Sequence, residues 1–193
     1  MDFSNLSHAE LVAELISVTS SLPCADALRV DDTVPAYSAR KSVALALARK
    51  LGAARELLLR DLKAQMCRGP VMDSPQAIRD WLRLYCAGLE HEVFLVLYLN
   101  AQHALIEAVQ ISRGTLTQTS VYPREVVKGA LEHNAAALVL AHNHPTGHAE
   151  PSRADEFLTQ TLKTALALVD VRVLDHFVVG GDRSTSFAER GLL

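Results

Sequence analysis

The apolar run over residues 135 to 141 ends in His142-Asn143-His144-Pro145, and it constrains this chain more than any other segment. Ala135-Ala136-Ala137-Leu138-Val139-Leu140-Ala141 is short, apolar and branched enough to predict a buried strand. If that strand carries through to position 144, side chains two residues apart project the same way, so both imidazoles face one cleft. The chain then turns at Pro145 and Gly147, and Ser152 opens a predicted helix whose first turn carries Asp155. Two imidazoles and a carboxylate supply three ligands to a borderline metal such as zinc and leave a fourth position for water. A strand end, a loop and a helix start that converge in this way are the usual geometry of an α/β ligand site. A chance match to His-x-His-Pro, six residues and Ser-x-x-Asp in a chain of this length is on the order of one in ten thousand or rarer.

Bulk properties narrow the classes. A 49% apolar and 21% charged composition is that of an ordinary globular protein. No apolar stretch reaches the ~20 residues of a membrane helix, and the first residues have neither a basic start nor an apolar core. Cys24, Cys67 and Cys86 are odd in number and widely spaced, which predicts free thiols in a reducing cytoplasm. Net charge is −3, made up of +1 over residues 1–70 and −4 over the remainder. Neither part has the basic balance of a DNA-binding domain, so charge leaves nucleic-acid binding open only through a local patch.

Along the chain, Ser7 and Glu10 form a capping-box pattern ahead of a predicted helix over 7 to 20. After a polar stretch, a long helix is predicted over 38 to 66, with Val43, Leu47, Leu51, Leu58 and Leu62 on one face. Its basic residues are interrupted by Glu56 and Asp61, as on a solvated face. Arg68-Gly69-Pro70 breaks the pattern and divides a small helical region, 1–69, from a domain over 70–193. There the patterns predict a helix over 73 to 84 and strands over 92 to 99 and 104 to 112. A third strand over 114 to 121 is a further expectation. A helix to 133, the strand over 135 to 141, a helix over 152 to 168 and a strand over 171 to 179 follow, the last stopped by Gly180-Gly181. This order implies an α/β fold of mixed α+β kind, a mixed sheet flanked by helices.

The spaced His-x-His-Pro and Ser-x-x-Asp residues resemble the JAMM motif of MPN-domain metallohydrolases, which add a glutamate at the head of an apolar strand. Glu92 stands in that place. The chain is more similar still to the bacterial RadC family. It carries that family's segments in order: Glu90-His91-Glu92-Val93-Phe94, Tyr122-Pro123-Arg124-Glu125-Val126, Ala141-His142-Asn143-His144-Pro145 and Val173-Leu174-Asp175-His176. The likeness covers roughly residues 68 to 190. It implies an MPN/JAMM-like sheet with cytidine-deaminase-like layering, although His-x-Glu and Pro-Cys-x-x-Cys are missing and a nucleobase deaminase is excluded. RadC relatives carry a helix-hairpin-helix segment with a Gly-x-Gly turn in the first third, and this chain has no such turn.

The resemblance implies a zinc-dependent hydrolase acting on an amide bond, with one Zn2+ held by His142, His144 and Asp155 beside a bound water. Glu92 then takes a proton from the water and passes it to the leaving amine, and Ser152 donates to the oxyanion. Each residue also has a plainer role: Ser152 and Asp155 as a helix-start signal, Glu92 as a solvated strand end with Glu90 as its rival. His148 is expected in solvent, and His176 beside Asp175 is not a simple catalytic pair because adjacent strand residues face opposite ways. A role for His148 or His176 in supporting the ligands from behind stays open. The expected partner is a protein or peptide substrate, with no membrane and with a homodimer as an option. The other reading is a DNA-repair or recombination accessory protein. Asn143 stands where eukaryotic and archaeal JAMM isopeptidases carry Ser or Thr, as is usual for the RadC branch.

Overall fold

The computed structural model describes residues 2–17, 36–73, 75–113 and 121–193. The chain divides into two compact units, Met1–Asp61 and Leu62–Leu193, and helix α2 (Ala36–Arg68) runs through the division. In the first unit, α1 (His8–Ile16) starts as its sequence predicts: Ser7 accepts from the Glu10 backbone N–H while the Glu10 carboxylate accepts from that of Ser7. It stops earlier than expected. Lys50 donates to the carbonyls of Glu14, Leu15 and Ser17 and so satisfies the orphan acceptors at its C-terminus.

The face predicted for α2 is not a buried one, since Leu47, Leu51 and Leu58 are exposed and Val43 lies outside the described side chains. Leucines recur all round this helix, so their spacing does not select a single stripe. Its buried residues among those described are Ala53 and Met66, and a Cβ on Gly52 would lie 2.4 Å from the Phe3 ring.

The second unit is a mixed α/β fold built on a five-stranded sheet of order β2-β1-β3-β4-β5. After a 3-10 turn over Val71–Asp73 come α3 (Pro75–Cys86), β1 (Val93–Leu99), β2 (Leu105–Arg113) and α4 (Pro123–Glu132). Then follow β3 (Ala137–Asn143), α5 (Arg153–Ala167), β4 (Arg172–Gly180) and β5 (Arg183–Ser186). Among the described strands only the β3–β4 pair is parallel, and α5 is its crossover. Strands β1 and β3 are buried at every position, which explains their unbroken apolar runs. One face of the sheet presents Phe94, Val96, Tyr98, Leu138 and Leu140 to Val126 and Ala130 of α4 and to Leu162 and Leu166 of α5. On the other face α3 lies against β4 and β5, with the Arg79 guanidinium 5.1 Å from the Phe177 ring centroid.

Most elements fall where the sequence places them. The expected strand over 114 to 121 lies almost wholly outside the described residues. One strand was not anticipated: Gly180-Gly181 does not end the sheet but turns the chain back into β5, with Gly180 paired to Arg183. Gly181, at φ +59°, supplies the left-handed conformation this tight reversal needs.

Candidate metal centre

The site forms where the parallel pair β3–β4 ends and α5 begins, because a parallel crossover returns the chain across the carboxyl ends of the strands. His142 lies within β3, and His144 extends its ladder by one bond, its N–H donating to the Val179 carbonyl at 2.7 Å. The two imidazoles are therefore in phase, as their spacing predicts. Gly147, at φ +83°, turns the following loop toward α5. Ser152 caps that helix, accepting from the Asp155 N–H at 3.2 Å while Asp155 Oδ2 accepts from the Ser152 N–H at 2.7 Å. The Ser152 hydroxyl also donates to Oδ2 at 2.7 Å. Capping thus fixes the carboxylate in place.

His142, His144 and Asp155 come together as one group whose ligand atoms all lie within 4.8 Å of one another. His142 Nε2 is 3.0 Å from His144 Nε2 and 3.3 Å from Asp155 Oδ1, and His144 Nε2 is 3.6 Å from Asp155 Oδ2. Donors in a tetrahedral zinc shell of radius ~2.0–2.1 Å sit about 3.3 Å apart, so the spacing fits. The outer nitrogens reinforce this. His144 Nδ1 lies 2.8 Å from the His148 carbonyl, which can only accept, so Nδ1 carries the proton and Nε2 its lone pair. His142 Nδ1 is likewise engaged, at 2.9 Å from His176 Nε2. Two imidazole nitrogens and a carboxylate oxygen converge on one small space. The group can hold a metal ion.

Charges agree with that reading. Burial by itself would raise the Asp155 carboxyl, but the adjacent His142 and His144 rings and the Ser152 hydroxyl outweigh it and hold the group well below the usual carboxylate range. His144 is raised above the ordinary imidazole value by its hydrogen bond to Asp155, against burial, with the Glu92 charge adding to the shift. Burial pushes His176, fully enclosed, well below that value.

Glu92 is half-buried and immediately precedes β1, not within it as the apolar pattern suggests. It lines the same cleft as His144, a cavity of about 1010 Å3 bounded also by Cys86, Glu90, Asn143 and Thr146. Asn143 sets its position: Oδ1 accepts from the Val93 N–H at 2.8 Å, and Nδ2 donates to the His91 carbonyl at 3.1 Å. Both bonds fall on the peptides flanking Glu92, and Asn143 is buried, so the residue between the two histidines pins the acid to the strand that carries them.

His148 presents its ring to solvent, as expected, while its carbonyl orients His144. Asp175 and His176 are not a side-chain pair. Asp175 accepts from the backbone N–H groups of His176 and Ala188 and from the Ser186 hydroxyl, and it tethers β5. Sequence patterns missed the part played by Asn143 and left that of His176 open, the signal being the Asp175-His176 pair in an otherwise apolar strand.

Residues 72–192 match the family described as RadC-like JAB domain. A UPF0758 protein from Leptothrix cholodnii is 68% identical over 144 residues, which cover 75% of this chain and 65% of that relative, just under two thirds of its length. One from Nitrosomonas eutropha is 52% identical over 189 residues, which cover 97% of this chain and 82% of the relative. The chain belongs to the RadC-like JAB domain family.

Proposed function

We propose that the protein is a zinc-dependent hydrolase that cleaves an amide bond in a protein or peptide. The observation that carries this reading is the convergence of His142 Nε2, His144 Nε2 and the Asp155 carboxylate at the spacing of a zinc shell, with an acid that lines the same cleft as His144. A zinc ion held there would supply an acidified water and polarise a substrate carbonyl. His142, His144 and Asp155 would hold it, and Ser152 keeps the Asp155 oxygens in orientation.

Glu92 acts as the base. Its carboxylate takes a proton from the attacking water and returns it to the departing amine, and Asn143 holds it at the cleft wall through the flanking peptides. The Ser152 hydroxyl, given to Asp155 in the resting site, turns to donate to the oxyanion as the carbonyl becomes tetrahedral, a contribution on the order of 3 kcal/mol for a well-placed donor.

The test uses Glu92→Gln. This variant should keep its zinc and capture from cell extract a protein or peptide that the native protein cleaves at least ~100-fold faster. A Glu92→Gln protein that loses zinc as completely as His142→Ala would make Glu92 a ligand and overturn its assignment as base.

A further inference from the structure

Behind the candidate ligands lies a chain of hydrogen bonds that the proposed reaction does not use. Thr159 Oγ1 is 2.6 Å from the Asp155 carbonyl, Thr159 Oγ1 and His176 Nδ1 are 2.6 Å apart, and His176 Nε2 is 2.9 Å from His142 Nδ1. It joins α5, β4 and β3 and begins and ends on two of the candidate metal ligands. Thr159 and His176 are both fully buried, so water does not substitute for a missing partner.

The direction of each bond follows from its fixed end. The Asp155 carbonyl can only accept, so the single hydroxyl proton of Thr159 goes to it. Thr159 Oγ1 is then an acceptor, and the proton of His176 must sit on Nδ1. A neutral His176 has a bare Nε2, which accepts from His142 Nδ1–H. His142 is left with its lone pair on Nε2, the atom 3.0 Å from His144 Nε2 and 3.3 Å from the Asp155 carboxylate. Reversing any one bond reverses the next, and it would place a hydrogen where a ligand lone pair is needed. Phe94 lies nearly parallel to the His142 ring and Phe187 packs on His176 at 4.7 Å, so both rings keep their planes without the hydrogen bonds.

We propose that Thr159 and His176 are positioning residues that select the metal-binding tautomer of His142, with the Thr159 hydroxyl as the switch that sets the whole chain. This rests on the reading of His142 as a metal ligand, but the tautomer is measurable without any metal. An ordinary helix threonine bonded to the carbonyl four residues back would serve no such purpose.

Two readouts on native protein, Thr159→Val and Thr159→Ser separate these roles. Two-bond proton–nitrogen correlation spectra of chelator-treated protein, recorded above the ordinary imidazole range, report the tautomer of His142. Competition against a coloured chelator reports zinc affinity. Native protein and Thr159→Ser should show the Nδ1–H tautomer and equal affinities. Thr159→Val should lose the single tautomer and bind zinc about 10- to 100-fold more weakly, as loss of an outer partner to a ligating histidine does. Thr159→Ala makes the same test without added methyl groups if the valine variant does not fold.

A folded Thr159→Val with native tautomer and native affinity overturns the proposal, as does a Thr159→Ser that loses as much as the valine variant. A native His142 in the Nε2–H form overturns it even if zinc binds. If the tautomers behave as stated but native protein takes up no zinc, the selection by Thr159 stands and the hydrolase reading fails.

Discussion

Gly180→Ala should damage the candidate metal centre from behind the sheet. A Cβ at this position would lie 2.4 Å from Ala149 N, 2.4 Å from the His148 carbonyl carbon and 2.8 Å from that of Gly147. All three are backbone atoms, and ordinary contact begins at 3.4 Å, so the loop must retreat by about 1 Å. That loop carries the carbonyl that accepts from His144 Nδ1 at 2.8 Å. Moved to about 3.8 Å, the pair is no longer a hydrogen bond and His144 loses its orienting partner. Overpacking should cost about 1–3 kcal/mol of stability, and loss of the outer partner about 10- to 100-fold in zinc affinity. Thermal melts with and without zinc, together with chelator competition, measure both. A variant with native melting and native affinity would refute the reasoning, because the loop would then have to move without carrying His144.

Removing the carboxamide of Asn143 should act on the acid and not on the metal. Asn143→Ala leaves the Val93 N–H and His91 carbonyl unpaired, at about 1–3 kcal/mol for each group that stays buried. Melting should fall while zinc affinity, read by chelator competition, stays within about threefold of native. Zinc binding should also depend on pH in a fixed sense. The raised His144 favours the protonated, metal-free fold, a contribution fully present below the ordinary imidazole value and lost as pH rises through the raised one. The rise in melting temperature on adding zinc should therefore be small in acid and grow as pH passes through the His144 titration, because the ion and the proton compete for one lone pair.

The ligand group was readable from sequence because its geometry is mostly local. A strand repeat of two aligns His142 with His144, and a helix-start pattern at Ser152 carries Asp155 in its first turn. The partners behind them were not fixed by the sequence, which left a role for His176 open. His176 reaches His142 only through the β3–β4 register, which slips by one residue between Leu138 and Val139, and strand alternation does not anticipate that slip. Asn143 reads as a spacer between two histidines until antiparallel pairing brings the peptides around Glu92 alongside it. Gly180 reads as a strand stop, whereas its lack of a Cβ makes room for the 147–149 loop. In α2 the leucines surround the helix, the buried described positions are Ala53 and Met66, and the significance of Gly52 depends on Phe3.

The most direct test is the metal content of the protein itself. Elemental analysis of native protein purified without a histidine tag, with His142→Ala and His144→Ala alongside, asks whether this group binds zinc. The expected result is about one zinc per native chain and a near-complete loss in both variants, since two protein ligands seldom hold zinc tightly at neutral pH. Native protein with a zinc content near zero, unchanged after incubation with the ion, would contradict the account at its centre.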